Sequence, residues 1–202
     1  AGYWITGSLG GALPVGMALV ILVFTLLAAH VLGSRLHPLL AVPVGAFLIL
    51  LLAVPINLGD RIGALSFAMF YNRIGWAAFG LLVIMYLPPL VPRPWQEARD
   101  VLCAAALTLL QLYSKLTYGA VALAFLVFLA VIPGQRRRAA LALAVVLAAA
   151  AVAELFWRGT ASHLADLMET ARISGGRGTG ALINVTLRNF ADLAVFALIA
   201  GL

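Results

Sequence analysis

The sequence predicts an all-α fold, a polytopic transmembrane helix bundle with short interfacial helices. Three observations predict it. Hydrophobic residues make up 64% of the 202 residues and charged residues 10%, more apolar surface than a soluble domain of this size has any use for. The apolar residues come in solid blocks near the roughly 20-residue length that crosses a hydrocarbon core of about 30 Å. Arginine- or proline-bearing turns separate several of the blocks. An outer-membrane barrel would instead show alternating segments of about ten residues.

The elements follow in order. A first span covers about residues 13–32 and ends at the turn "GSRLHP"; a second covers about 39–56. The next stretch, "NLGDRIGALSFAMFYNR", is too polar to span. Within it Phe67, Phe70, Tyr71 and Ile74 recur at i, i+3, i+4 and i+7, one face of a short interfacial helix. A third span, 74–91, is closed by "PPLVPRP".

From Val101 to Pro133 the only charge is Lys115. A single helix of that length would reach about 50 Å, well beyond the hydrocarbon core. Arg93 and Arg99 precede the stretch and Arg136, Arg137 and Arg138 follow it. Short loops rich in arginine stay on the cytoplasmic side, and only a hairpin returns both flanks to one side. Two helices, about 99–113 and 116–132, are therefore expected, with Lys115 at the outer tip. A further span covers about 139–156, and a last, incomplete one covers 190–202.

This alternation puts residues 33–38, 93–100 and 134–138 on the cytoplasmic side, with six Lys/Arg in 19 residues, against seven in 55 for the outer segments 57–73, 114–118 and 157–189. The density, rather than the raw count, sets the orientation. In the outer segment 157–189, "ASHLADLMETAR" places Leu164, Leu167, Met168 and Ala171 on one face of a surface-lying amphipathic helix. "SGGRGTG" then reads as a flexible loop, in which Arg177 is available to an anionic substrate. It fails the phosphate-loop pattern and follows no strand.

The chain opens with "AGYWITGSLGG" and closes within an apolar run, and it reads as a fragment of a longer protein. The expected setting is the bacterial inner (cytoplasmic) membrane, with the lipid bilayer as first partner. The net charge of +6 is a topology signal and not a nucleic-acid footprint, since no basic groove with interleaved aromatics accompanies it. Cys103 reads as a small buried residue. His30, His37 and His163 are scattered over different segments, so no metal site and no cofactor is expected.

An ammonium at membrane depth costs a few kcal/mol or more unless it meets a partner, lines a cavity or reaches an interface. Lys115 therefore either binds a phosphate at headgroup level, as a point charge, or snorkels to the interface. Asp60, Arg61, Tyr71, Asn72 and Arg73 fall on the same outer side. Two arginines and a lysine converging there would form a diphosphate pocket, with forked donors from arginine. Asp60 is then a base or simply the partner of Arg61. The plainer reading has Tyr71 and Trp76 in an aromatic belt and Arg73 snorkelling. Glu154 and Asp166 are further carboxylates without a diagnostic spacing.

"LTLLQLYSKLTYGAVALAFLVFLAVIPGQRRR" resembles a pattern in polytopic glycosyltransferases of the GT-C superfamily, where a helix ends in Leu-x-x-Lys-x-Thr before a short apolar helix and a basic cytoplasmic turn. Leu112, Lys115 and Thr117 fill the motif and Arg136–Arg138 the turn. The resemblance covers about residues 35–160, mostly as hydropathy. It implies transfer of a sugar from a lipid-linked phosphate donor, of dolichyl or polyprenyl type, at the outer membrane face. The catalytic acid of that superfamily lies in the first outer loop, ahead of the matching region, so the resemblance assigns none here. Two rival functions share the same features. One is a transporter or flippase for an anionic or lipid-linked substrate, in which a broken helix marks the site; no internal repeat speaks for it. The other is a polysaccharide polymerase or ligase.

Overall fold

The structure is a computed structural model that describes residues 6–54 and 67–159, with Ser162, Ala165, Met168, Glu169, Asn184 and Leu187 as isolated positions. The described residues form helices and turns, without strands. The chain divides into two compact units, Ala1–Ala151 and Val152–Leu202. All packing described below belongs to the first.

The helices are α1 (Leu9–Arg35), α2 (Pro38–Ala53), α3 (Phe67–Met85), α4 (Gln96–Ser114), α5 (Leu116–Val131) and α6 (Arg136–Trp157). Local chemistry explains their ends. Ser8 caps α1 by accepting a hydrogen bond from the Gly11 amide at 3.1 Å, and His37 precedes Pro38 at the first turn of α2, where proline forfeits no helical bond. Leu87 stands before Pro88 and Pro89. The residue before a proline is pushed out of helical geometry, so α3 stops at Met85, and Tyr86 and Leu87 close in tight turns onto Val83 and Ile84.

Two expectations are corrected here. Phe67, Phe70, Tyr71 and Ile74 do not form a separate interfacial helix. They occupy the first two turns of α3, which runs without interruption into the apolar stretch because no proline stands between them. The same helix ends six residues before Val91, for the reason just given. Helices α1, α4 and α6 extend past their apolar blocks into the polar flanks, whereas α2 ends at Ala53, short of the expected residue 56. Thus α1 takes in Ser34 and Arg35 and α4 takes in Gln96, Glu97 and Asp100, because polar residues continue a helix wherever their side chains find partners. The expected surface helix around Leu164 and Leu167, the loop "SGGRGTG" and the last span fall outside the described residues, Met168 excepted.

Helix α3 lies at the centre, packed against α1, α2, α4 and α5. Phe24, Leu52, Leu81, Leu82, Leu107 and Leu126 are fully buried between them. The aromatic pairs Trp76–Tyr118 and Phe79–Phe125 run α5 alongside α3 in the same direction. Helix α4 runs the opposite way, since its start meets Arg35 and its end meets Asn72. The α4–α5 pair is thus a hairpin that turns at Lys115. Its two flanks meet again at the far end, where Arg137 Nε lies 3.4 Å from Glu97.

Helices α1 and α6 contain stretches long and apolar enough to cross a membrane, Gly10–Arg35 and Arg136–Phe156, and only 22% and 17% of their apolar windows are buried inside the protein. A core helix of a soluble protein would be mostly covered. Leu22, Leu26, Phe47, Phe128 and Leu147 instead stand more than half exposed.

Candidate functional site

Lys115 forms a joint of one residue. Its backbone is extended, at φ −158° and ψ 119°, and it ends α4 and starts α5 at once. Its amide donates to the Gln111 carbonyl at 2.9 Å, and its own carbonyl accepts from Tyr118 and Gly119 at 3.0 and 3.1 Å. Few backbone groups are orphaned by the break, so the chain can turn there at little backbone cost. Gly119 makes the fold-back possible. A Cβ at that position would lie 2.5 Å from Leu112 Cα, across the joint.

The half-buried ammonium of Lys115 donates to Asn72 Oδ1 at 2.8 Å. It also stands 5.6 Å from the centre of the Tyr118 ring, within range of a cation–π attraction. Gly75, one turn after Asn72 on α3, lets that ring lie flat on the helix, for a Cβ there would be 2.4 Å from it. Both partners are neutral. Their dipoles orient the ammonium and leave its positive charge uncompensated by either.

Of the residues singled out from the sequence, Lys115 and Asn72 are thus in direct contact across 43 positions of sequence. Tyr71 and Arg73 flank Asn72 on the same turn of α3, both half-buried. Asp60 and Arg61 lie outside the described residues. Glu154 belongs to the last turn of α6, and Asp166 and Arg177 are outside the described residues. Cys103 is buried and unpaired.

Sequence reasoning missed a second constellation at the opposite end of the hairpin. The Arg35 guanidinium, completely buried, forms an ion pair with Asp100 and donates through Nε to the Met85 carbonyl at 3.0 Å. It also donates to Ser34 Oγ. Gln96 Nε2 donates to Asp100 Oδ1 at 2.9 Å. Arg138 and His30 approach the same carboxylate at 3.5 and 3.4 Å. Four helices are tied here: α1, the end of α3, the start of α4 and the start of α6. One signal was available. Asp100, Thr108 and Gln111 share one face of α4 at helical spacing, and all three are buried. A polar stripe on an otherwise apolar helix points inward, because lipid or core carbon on the other side cannot satisfy it.

Comparison of the chain with protein-family models, with curated proteins and with solved structures finds no match.

Proposed function

We propose that this chain works within a membrane as a polytopic glycosyltransferase, taking a lipid-linked phosphosugar at the Lys115 end. One observation carries the reading: a helix pair broken at a single lysine whose ammonium is oriented by neutral groups, Asn72 and Tyr118. Such a cation is pre-positioned for an anion, and a phosphate would offset its desolvation more fully than an amide does. Arg73 and Tyr71, on the neighbouring positions of α3, supply further donors to a diphosphate. The apolar exteriors of α1 and α6 supply the membrane setting, and the arginine-rich end, with Arg93, Arg99 and Arg136–Arg138, faces the cytoplasm under the positive-inside rule. A bacterial inner membrane is the setting proposed. The transferase is favoured over a transporter by the resemblance around Leu112, Lys115 and Thr117.

The test is binding of a polyprenyl-phosphate sugar by the purified full chain and by two variants. Lys115→Met is expected to insert normally and to lose donor affinity by about 1.5–3 kcal/mol, the range for hydrogen bonds to charged groups. Lys115→Arg restores part of it, since the guanidinium is larger and forked. Unchanged affinity in Lys115→Met would reduce the residue to an interface anchor. Release of the sugar onto an acceptor separates a transferase from a flippase, which moves the donor intact.

A further inference from the structure

A groove of about 660 Å³ lies beside the Arg-rich end of the hairpin, between α4 and α6 and remote from Lys115. Its walls are apolar, with Ala98, Val101 and Leu102 facing Leu141 and Val145. From Arg137 to Val145 it follows α6 for about 12 Å, room for part of an acyl chain. The helix-end rim is different in character. Arg93 and Arg137 stand there with Trp95, whose indole is 78% exposed. Gln96 lines the same groove and is almost wholly buried. Its Nε2 is committed to Asp100.

The groove therefore offers an apolar slot and two guanidinium groups. We propose that it holds an anionic glycerophospholipid. An acyl chain lies between α4 and α6, and the phosphate meets Arg93 and Arg137. Trp95 sits at the level of the headgroups, where an amphipathic ring is favoured. Glu97, 3.4 Å from Arg137 Nε, competes with the phosphate for that guanidinium. A second groove, about 270 Å³ between α1 and α2, has no charged residue in its lining and so nothing to select one lipid over another. The inference rests on the membrane setting proposed above and not on the transferase reaction.

The full chain in neutral detergent is titrated with phosphatidylglycerol, phosphatidylcholine, phosphatidylmethanol and glycerol phosphate, and bound ligand is counted by native mass spectrometry. Phosphatidylglycerol is expected to bind on the order of tenfold more tightly than phosphatidylcholine, given the attraction of two arginines for an anionic lipid. Phosphatidylmethanol, which keeps the charge on a smaller headgroup, binds about as tightly as phosphatidylglycerol. Glycerol phosphate, the headgroup without chains, does not bind at concentrations that saturate the lipid. Arg93→Gln combined with Arg137→Gln erases the preference, Glu97→Gln strengthens it, and Lys115→Met leaves it unchanged. Equal binding of phosphatidylglycerol and phosphatidylcholine, or a double variant that binds like the wild type, overturns the inference in a chain that stays in carbonate-washed membranes. A chain released by carbonate overturns the membrane setting itself, and the groove's lipid with it.

Discussion

The two ends of the helical unit hold their charges in opposite ways. At the Arg35 end a buried carboxylate, Asp100, is surrounded by Arg35, Arg138, His30 and Gln96. Every partner comes from this chain, and the buried carboxylate is matched by the fully buried Arg35, with the partly exposed Arg138 beside them. At the Lys115 end an ammonium meets an amide oxygen and a ring face, neither of which is charged. Buried ions that are mutually compensated tie elements together, whereas a cation held by neutral groups is still available to an anion from outside. The first end ties the fold together, and the second holds the cation that the proposed donor would meet.

The comparison breaks most visibly on stability. Asp100→Asn leaves Arg35 buried without its counter-ion and should destabilise the chain by about 3–5 kcal/mol. Lys115→Met should cost far less. Thermal unfolding in detergent of the two variants side by side checks this, and equal losses would erase the distinction between the ends. Next in size is Gly119→Ala. Its Cβ would strike the backbone at Leu112 Cα, 2.5 Å away, and overpacking of this kind costs about 1–3 kcal/mol. It should open the hairpin angle as well, and a distance measured between labels on α4 and α5 would report whether it does.

Two smaller effects sharpen the reading of the Lys115 end. Asn72→Asp supplies an internal counter-ion. It should stabilise the fold slightly and weaken donor binding by about 1 kcal/mol or more, because the phosphate must now displace a carboxylate. Stronger donor binding in this variant would mean that the ammonium does not face the donor. Tyr118→Phe should bind donor as well as the wild type, since the ring face persists. Tyr118→Leu should lose about 0.5–1 kcal/mol, the size of a cation–π contribution. Calorimetric titration with a polyprenyl-phosphate sugar serves all three variants.

Some of this was legible in the sequence for local reasons. The helix break at Lys115 follows from one charge in a long apolar run, since a 33-residue helix would overshoot the membrane by several turns. The end of α3 was harder to read, because the apolar pattern continues through Leu90 and Val91 while the backbone has already been turned by Pro88 and Pro89. The continuity of Phe67 with Met85 was hidden by Asn72 and Arg73, polar residues that look like a loop until Lys115 is seen to claim one of them. Arg35 looked like a topology arginine in a turn, and nothing in its neighbourhood announces that Asp100 will bury it.

What the sequence determined by itself is the helical class, the placement of the apolar blocks and the arginine-rich flanks, and the joint at Lys115. These depend on composition and on residues near one another in the chain. Only the tertiary structure decided the pairings, Arg35 with Asp100 across 65 positions and Lys115 with Asn72 across 43. The reason lies in the helices themselves. Helices α1, α2 and α5 are apolar around most of their circumference over most of their length, so no stripe tells them which way to turn. Rotation about each axis is settled by close packing, at contacts such as Gly75 against Tyr118, and that rotation chooses which side chains meet.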